Sequence, residues 1–329
     1  MTALLQVSDL SVSFHTSRGS ARAVNGVSFD IDAGETLAIL GESGSGKSVT
    51  AQAIMGLLPR HSSSVDTGTV VFKGEDVLQM PRKQARQLAG RDIGMVFQDP
   101  LSSLNPVYTV GAQISEAARR RFGAGKAQAH QLAVDMLHRV GIPHPKQRVK
   151  DYPHQFSGGM RQRVMIAIAL ANNPELLIAD EPTTALDVTV QAQIFDLLAE
   201  LQAETNMAMI LITHDLGVAA GVADRAVVMY NGKTVETGTI RELYDDSAHP
   251  YTAGLLMSIP NEHDPSQTLV PIPGTPPDIW DARTGCAFAP RCRFAQDICT
   301  TDQPALVPTA DGSRTHHAAC HFAKELQYT

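Results

Sequence analysis

The segment GESGSGKS, at residues 41 to 48, constrains the fold of this chain more than any other feature. It follows TLAIL, a continuous apolar run typical of a strand covered on both faces, and it precedes a helical pattern. A strand, a glycine-rich turn and a helix matching G-x-x-x-x-G-K-[ST] are typical of a phosphate-binding loop. A chance glycine-rich loop is the alternative, and the flanking strand and helix count against it. We predict that nucleoside triphosphate binds at the following residues: Gly41, Ser43, Gly44, Ser45, Gly46, Lys47 and Ser48.

The residue types in this loop suit triphosphate chemistry. Glycines let backbone N–H groups turn inward around phosphate oxygens, and the following helix adds the positive end of its dipole. We expect Lys47 to reach the β- and γ-phosphates and the Ser48 hydroxyl to bind Mg²⁺. The apolar run ELLIAD ends in Asp180, which we expect to help hold Mg²⁺, and Glu181 follows, placed to orient or deprotonate the attacking water. Ordinary solvated acids at a strand end are the alternative for these two carboxylates.

The order of strand-like and helical patterns predicts an α/β fold. Apolar strand runs at residues 36–40, 175–180 and 208–215 alternate with helical patterns, which indicates a parallel sheet in a P-loop NTPase (RecA-like) core. Short alternating segments between residues 4 and 31 predict an antiparallel β subdomain. An Arg-, Gln- and Ala-rich stretch predicts a helical subdomain at about residues 99–170.

The composition changes after residue 258, where the chain becomes proline-rich and irregular. We therefore predict an ATPase domain over residues 1–258 and a small, irregular C-terminal extension over residues 259–329. All four cysteines of the chain lie in this extension.

Charge and hydropathy exclude several classes of protein. The 329 residues include 27 basic and 34 acidic ones, a net charge of −7, with no block of like charges, which argues against a general nucleic-acid binder. The N-terminal MTALLQVSDL has no basic region and no long apolar run, so we predict no secretory signal. No apolar run approaches the roughly 20 residues that span a bilayer. We predict a cytosolic chain, in which clustered cysteines more often bind metal than form disulfides.

A second motif resembles the signature of ABC transporter nucleotide-binding subunits. It is FSGGMRQRVMIAIAL, beginning at Phe156, whereas the usual form begins Leu-Ser-Gly-Gly-Gln, so Phe156 and Met160 differ. A hydroxyl and free amides at a helix N-terminus are suited to face phosphate. The residues that supply them are retained: Ser157, Gly158 and Gly159.

The resemblance covers about residues 4–245 and implies roles for further residues. It implies that Gln98 in VFQDP and His214 in LITHD act with Glu181 in hydrolysis, and that Gln98 also binds Mg²⁺. It implies that Phe14 stacks on adenine and that Asp187 in TTALDV belongs to the loop called the D-loop. Taken singly, Phe14 could be a core residue, Gln98 a loop hydrogen-bonder and His214 a satisfied histidine.

The resemblance also implies a head-to-tail dimer. In such a dimer, ATP is held by the phosphate loop of one subunit and by the three signature residues, Ser157 to Gly159, of the other. Neither half of the site suffices alone.

Several longer segments resemble one branch of this family, the oligopeptide and dipeptide importer ATPases. These segments are NPVYTVGAQISEA, HPYTAGLLMSIP, GTPP and GCAFAPRC. The resemblance implies an ATP-hydrolysing subunit that powers peptide import through two separate transmembrane permease subunits. It further implies a paralogous ATPase as heterodimer partner, an extracytoplasmic substrate-binding protein as indirect partner, and a place on the cytoplasmic face of the membrane.

The cysteines are spaced C-x5-C-x6-C-x20-C, unlike the C-x-x-C pairs of zinc ribbons. Four thiolates can complete a [4Fe–4S] cluster or a tetrahedral zinc site, and the resemblance favours the cluster. Nearby histidines at 316, 317 and 321 keep a mixed Zn²⁺ site open, and unligated thiols are a third interpretation. A short proline-rich tail can hardly bury a core, so we expect a metal to supply its order. The predicted ligands are Cys286, Cys292, Cys299 and Cys320.

Three functions other than peptide import are compatible with an ABC cassette. A soluble ABC ATPase acting on DNA or ribosomes is the alternative, but only about 110 residues separate Lys47 from Ser157, too few for a long coiled-coil insertion, and there is one cassette. A subunit that binds ATP without hydrolysing it conflicts with the presence of Glu181 and His214. An importer of nickel, glutathione or another cargo stays open.

Overall fold

The computed structural model divides into two compact units. The first comprises Met1–Ile31, Thr36–Leu78 and Leu211–Thr329, and the second comprises Asp32–Glu35 and Gln79–Ile210. None of the helices in the described part of the chain is both long and apolar enough to cross a bilayer. The residues that the structure describes are 3–59, 61–183, 186–258, 270–280, 284–309, 313–323 and 325.

The strands in the described residues are numbered along the chain. They are β1 (Leu5–Thr16), β2 (Gly19–Ile31), β3 (Thr36–Leu40), β4 (Ser63–Phe72), β5 (Glu75–Asp76), β6 (Ile93–Val96), β7 (Leu176–Asp180), β8 (Ala208–Thr213), β9 (Arg225–Tyr230), β10 (Lys233–Thr239), β11 (Val307–Pro308) and β12 (His317–Ala318).

The α-helices are numbered in the same way, and short 3₁₀ turns occur at Pro153–Gln155 and Ala289–Arg291. The helices are α1 (Lys47–Ile54), α2 (Arg82–Leu88), α3 (Pro100–Ser103), α4 (Val110–Phe122), α5 (Lys126–Arg139), α6 (Pro145–Arg148), α7 (Gly158–Leu170), α8 (Val188–Thr205), α9 (Leu216–Val222), α10 (Ile240–Asp245), α11 (Pro250–Met257) and α12 (Asp297–Thr301).

The first unit contains an antiparallel sheet in the order β2-β1-β4-β5. At the start of β1, Leu5 and Val7 are buried and Gln6 between them is exposed, as in a sheet with one covered face, whereas all four residues from Leu10 to Ser13 are buried. The antiparallel strands predicted for residues 4 to 31 are therefore present.

Further strands of the first unit are paired in the order β11-β12-β10-β9-β3. β3 and β9 are parallel, in a register that sets Leu37 opposite Arg225 and Leu40 opposite Val228. Every residue of β3 is buried, in agreement with its continuous apolar sequence. β9, β10, β12 and β11 then pair antiparallel, so the C-terminal extension adds two short strands at residues 307–308 and 317–318.

The C-terminal extension packs on the core of the first unit. Phe288 lies edge-on against Tyr230, with ring centroids 5.3 Å apart, and lies 5.4 Å from Tyr251. These rings join a buried cluster with Leu40, Val228 and other apolar residues of the first unit. A short tail without a core of its own is thus ordered by burying its aromatic side chain in an existing core.

The second unit is rich in helices. β6 and β7 pair parallel, with Ile93 opposite Leu176, which agrees with the predicted parallel pairing. Helices α3 to α7 occupy the stretch for which a helical subdomain is predicted, and α4 contacts α5. The domain boundaries stay predictions, and the start of the extension, residues 259 to 269, lies outside the described residues.

A buried polar cluster in the first unit connects β10 to α11. The Glu236 carboxylate accepts the N–H groups of Ala248 at 2.6 Å and His249 at 3.0 Å, and pairs with Nε2 of His316 at 2.8 Å. Nδ1 of His249 accepts the N–H of Tyr251 at 3.1 Å and caps α11. Burial lowers the pKa of His249 to about 4, although nearby Glu236 opposes the shift. Although burial disfavours its charged form, the hydrogen bond to Glu236 raises the pKa of His316.

We expect acid to destabilise the protein through His249. Unfolded histidine titrates near pH 6.5 but folded His249 only near 4, so the unfolded state binds the extra proton between these values and stability falls as the pH falls. The loss is on the order of 3 kcal/mol. His249→Asn keeps an acceptor for the cap without titrating there, so its melting temperature should fall less between about pH 6.5 and 4.5. Thermal unfolding followed by circular dichroism measures this.

His130→Asn, at an exposed position, is the matched control and should follow the wild type. The contribution of His316 is common to all three proteins and cancels in the comparison. Equal acid sensitivity of wild type and His249→Asn would contradict the prediction.

Candidate nucleotide-binding site

The phosphate loop lies between β3 and α1 in the first unit, as the sequence predicts. Gly41, Gly44 and Gly46 have φ values of 147°, 81° and 102°, which side chains rarely adopt. A Cβ on Gly46 would stand 2.5 Å from the carbonyl oxygen of Ala23, whereas one on Gly44 would meet nothing within 4 Å. The loop is therefore closed by backbone on one side and open at Gly44.

Lys47 is the first residue of α1, and its side chain runs back along the loop. The residue is 5% exposed. Its Nζ donates to the carbonyl oxygen of Gly41 at 2.6 Å and to that of Glu42 at 3.0 Å. Ser48 follows in the first turn and is half-buried. The ammonium is thus held at the loop, where a triphosphate would need a positive charge.

Two predicted catalytic residues of the second unit lie in direct contact. Nε2 of Gln98 donates to the Glu181 carboxylate at 2.8 Å. β7 ends at Asp180, which is 6% exposed, and Glu181 follows with a φ of 45°, in the left-handed region that non-glycine residues seldom adopt. Such a conformation costs on the order of 1 kcal/mol, and residues that adopt it cluster at functional sites.

The signature residues begin helix α7, and Asp187 begins α8. Ser157 is the N-cap of α7, and its Oγ accepts the N–H of Met160 at 3.4 Å. Ser157 and Gly158 are exposed, so this helix N-terminus faces solvent in the isolated chain. The Asp187 carboxylate accepts the N–H of Val190 at 2.9 Å and caps α8.

Phe14 and His214 lie in the first unit. Phe14 is opposite Ala21 and Ser63 in the antiparallel sheet and is half-buried rather than part of the core. His214 is exposed, after the end of β8, and the next residue, Asp215, caps α9. The roles implied for these two side chains stay predictions.

Sequence reasoning missed a group of residues that contact the phosphate loop within the first unit. The N–H of Glu42 donates to the Tyr251 hydroxyl at 2.7 Å. The Glu42 carboxylate accepts two hydrogen bonds from Arg291, at 2.6 and 3.0 Å. These bonds raise the pKa of the Arg291 guanidinium, against the effect of burial. The sequence offers one indication of this contact, which is the arginine in the otherwise apolar segment GCAFAPRC.

The donor set suits a nucleotide and Mg²⁺. A Cβ would stand 2.2 Å from the carbonyl oxygen of Met229 at Gly41 and 2.5 Å from that of Ala23 at Gly46, and without side chains at its glycines the loop can bring its amides close to phosphate oxygens. Mg²⁺ prefers hard oxygen ligands, and the first unit offers the Ser48 hydroxyl, whereas the second unit offers the Asp180 carboxylate and the Gln98 amide oxygen.

Comparison with known proteins identifies the family. Residues 24–184 match the ABC transporter family model, and residues 235–299 match that of the oligopeptide/dipeptide transporter C-terminal region. The oligopeptide transport ATP-binding protein OppD of Bacillus subtilis (strain 168) is 51% identical over 318 residues, which are 96% of this chain and 88% of that protein. The dipeptide transport ATP-binding protein DppD of Escherichia coli (strain K12) is 48% identical over 320 residues, 97% of each chain.

The chain belongs to the ABC transporter family, in its oligopeptide/dipeptide branch. The resemblance drawn from the motifs is thereby confirmed. As an ABC transporter ATP-binding subunit, the protein is an ATPase.

Solved structures agree with the fold of an ABC ATPase. The dimeric post-hydrolysis structure of the ATP-binding cassette MJ0796 bound to ADP and Pi is 26% identical, with a TM-score of 0.65 over 72% of this chain and 99% of that one. CbiO1 of Clostridium perfringens, part of the transporter complex cbiONQ, is 31% identical, with a TM-score of 0.63 over 75% of this chain and 92% of that one. The predicted P-loop NTPase core is therefore confirmed.

The prediction of a [4Fe–4S] cluster is wrong. Within the described residues, no group of three or more His, Cys, Asp or Glu side chains is placed to hold a metal ion, and the relatives are named simply as ATP-binding proteins. The same finding leaves the zinc alternative without a ligand group. The four cysteines are free thiols around one small cavity that they share with aromatic side chains; they are Cys286, Cys292, Cys299 and Cys320.

The physical reason lies in the surroundings of the thiols. Burial raises the pKa of Cys286 and Cys292, and raises that of Cys320 to about 11. A metal ligand must be a thiolate, and burial disfavours that charged form at these three cysteines. The order that was expected from a metal comes from aromatic packing and from pairing of β12 with β10.

The start of α7 gives a test of the signature geometry. A Cβ on Gly159 would lie 2.8 Å from Cγ1 of Val190, whereas one on Gly158 would lie 3.7 Å from Cδ2 of Leu186, an ordinary contact. Gly158→Ala should leave the free energy of unfolding unchanged or raise it by up to about 1 kcal/mol, because alanine favours helix. Gly159→Ala should be less stable than Gly158→Ala by about 1 kcal/mol or more, because stiff Val190 must move.

Urea unfolding of both variants measures the difference. Each is the control for the other, since both replace a glycine in the first turn of one helix. Equal stability of the two variants would show that the close packing against Val190 does not hold in solution.

Proposed function

We propose that this protein is the ATP-hydrolysing subunit that powers import of di- and oligopeptides across the cytoplasmic membrane. The observation that carries the proposal is the match of residues 235–299 to the oligopeptide/dipeptide transporter C-terminal region. This match lies outside the part that matches the general ABC transporter model, so it favours one branch of the family. Identity of 48 to 51% to peptide transport subunits over nearly the whole chain supports the same cargo.

The loop residues are proposed to bind the triphosphate. Backbone amides from Gly41 to Ser48 cradle its phosphates, Lys47 pairs with the β- and γ-phosphates, and Phe14 stacks on the adenine. Mg²⁺, when bound, neutralises charge on the phosphates. The proposed ligands and supports of this ion are Ser48, Gln98 and Asp180.

Glu181 is proposed to orient and deprotonate the attacking water. The hydrogen bond from Gln98 Nε2 at 2.8 Å helps to position the Glu181 carboxylate, which supports this role. His214 is proposed to assist at the γ-phosphate. Asp187, as the D-loop residue, caps α8 and is proposed to set the start of that helix beside the partner subunit.

The working unit is proposed to be a head-to-tail heterodimer with a paralogous ATPase. The exposed N-terminus of α7 supports this arrangement, because its free amides and the Ser157 hydroxyl suit contact with ATP held by a partner. The heterodimer is proposed to dock on two permease subunits at the cytoplasmic face of the membrane, with an extracytoplasmic binding protein delivering peptide. A soluble ABC ATPase that acts on DNA or ribosomes is not favoured, since the relatives are peptide transport subunits.

Loss of the general base should stop hydrolysis without stopping binding. Glu181→Gln in the reconstituted transporter should lower the turnover number by at least about 100-fold, because the amide cannot take a proton from water. MgATP binding should persist, whereas Lys47→Ala should weaken binding itself. Phosphate release and uptake of a radiolabelled tripeptide into proteoliposomes measure the two activities.

Wild-type hydrolysis by Glu181→Gln would contradict the role of Glu181. Tripeptide uptake that persists without ATP hydrolysis, or hydrolysis by wild type with no uptake of any di- to pentapeptide, would contradict the proposed transport function.

A shared site should make activity depend on assembly. The purified subunit should hydrolyse ATP slowly, and the rate should rise when the paralogue and permeases are added, because Ser157 to Gly159 must be presented to the ATP of the other subunit. Ser157→Ala in this subunit should lower the rate only in the assembled complex. Full activity per subunit that does not vary with protein concentration would contradict the head-to-tail dimer.

A further inference from the structure

Glu42, the second residue of the phosphate loop, is held through each of its polar groups. Its N–H donates to the Tyr251 hydroxyl at 2.7 Å, and its carbonyl oxygen accepts from Nζ of Lys47 at 3.0 Å. Its carboxylate accepts two hydrogen bonds from the Arg291 guanidinium, at 2.6 and 3.0 Å. Two of these three partners are contributed by residues after position 248, and the third is the lysine of the loop itself.

The pair of Arg291 and Glu42 is not an ordinary surface ion pair. The Arg291 side chain is 5% exposed and that of Glu42 is 26% exposed. The contact is bidentate, with two parallel N–H···O bonds, the geometry in which arginine binds a carboxylate most strongly. A pair with one member almost fully buried resists screening by salt, and loss of the Glu42 carboxylate would leave the Arg291 guanidinium buried without its partner.

Arg291 is itself fixed from several sides within the first unit. Its Nε donates to the carbonyl oxygen of Pro273 at 2.8 Å, and Nη1 also donates to the Tyr230 hydroxyl at 3.2 Å. The guanidinium carbon lies 5.8 Å from the ring centroid of Tyr230 and 5.9 Å from that of Phe288. The guanidinium therefore has little freedom, and a carboxylate bonded to it is held in place.

Ordering of the phosphate loop is opposed by the loss of conformational entropy. The loop contains three glycines in left-handed conformations, and glycine loses more conformational freedom on ordering than any other residue. A loop that is ordered before the ligand arrives binds more tightly, because ordering no longer opposes binding. The carbonyl oxygen of Glu42 also accepts a hydrogen bond from Nζ of Lys47. A shift of Glu42 would therefore displace Lys47, which is expected to contact phosphate.

We propose that Arg291 is a positioning residue for nucleotide binding, which holds the first turn of the phosphate loop in its binding conformation through Glu42. The C-terminal extension thereby raises the affinity of the ATPase for nucleotide. This inference rests on the proposed function only in that the loop binds ATP; it does not depend on the cargo or on the partner subunits.

The affinity for nucleotide tests the proposal directly. Arg291→Ala and Glu42→Gln, made in the full chain, should each weaken binding of MgADP about tenfold, which is about 1.4 kcal/mol. The double variant should bind no more weakly than either single variant, because both substitutions break one interaction. Isothermal titration calorimetry measures the four dissociation constants.

Arg293→Ala is the matched control. Arg293 is two residues away, exposed, and stacked on Phe294 at 4.7 Å, so its replacement removes the same charge without touching the loop. Its dissociation constant for MgADP should equal that of wild type. A tenfold weakening by Arg293→Ala would show that net charge, not the contact with Glu42, sets affinity, and would overturn the proposal.

A merely structural role predicts a different result. If Arg291 only fastened the extension to the core, Arg291→Ala would lower the melting temperature without changing the dissociation constant, and that outcome would overturn the proposal. In the assembled transporter, Arg291→Ala should raise the KM for ATP while kcat at saturating ATP stays near wild type, because bound nucleotide itself orders the loop. A fall in kcat with an unchanged KM would contradict the positioning role.

The design stays decisive if Arg291→Ala does not fold. Glu42→Gln keeps the shape of a half-buried side chain and replaces only the charge, and Arg291→Lys keeps the charge without the bidentate contact. Wild-type affinity of both would overturn the proposal, whereas weaker binding by both supports it. Failure of the wild-type protein to bind MgATP or MgADP would instead overturn the proposed function, so the two failures are distinguishable.

Discussion

The backbone conformation of the turn between β3 and α1 is the constraint on which the rest of the site depends. Three glycines adopt φ values that side chains rarely take, and a Cβ on Gly46 would stand against the carbonyl oxygen of Ala23. The fully buried strand β3 fixes where the loop begins, and α1 fixes where it ends. A cradle of inward amides follows from this geometry, and so does the position of Lys47 at its edge.

The C-terminal extension contacts the phosphate loop. Its ordering comes from apolar contacts: Phe288 enters the aromatic cluster of Tyr230 and Tyr251, and β12 extends the strands beside β10. This packing places Arg291 against Glu42 and buries thiols whose pKa values are raised by that burial. The C-terminal extension is therefore ordered by aromatic packing and a buried ion pair, whereas the sequence predicted that a metal would order it.

Several residues predicted to be functional also have structural roles. Ser157 caps α7 and Asp187 caps α8, while Asp215, beside His214, caps α9. A capping side chain is fixed by the helix amides that it accepts, so these helix starts are rigid points. A residue of this kind can both cap a helix and belong to a functional site, because a well-ordered helix N-terminus is itself suited to bind an anion.

The sequence by itself determined the features that depend on neighbouring residues. The phosphate loop between a buried strand and a helix, the antiparallel strands before it, the acids at the end of β7 and the serine that begins α7 were all predicted, because each is encoded by local spacing and side-chain type. The sequence predicted a shared role in hydrolysis for Gln98 and Glu181, but it did not predict the hydrogen bond between them. Tertiary structure alone decided which distant residues meet: Arg291 and Glu42 are 249 positions apart, and no local pattern encodes their pairing. Tertiary structure also decided the environment of the cysteines. Their spacing along the chain does not encode burial, and burial in the packed core disfavours the thiolate form at Cys286, Cys292 and Cys320.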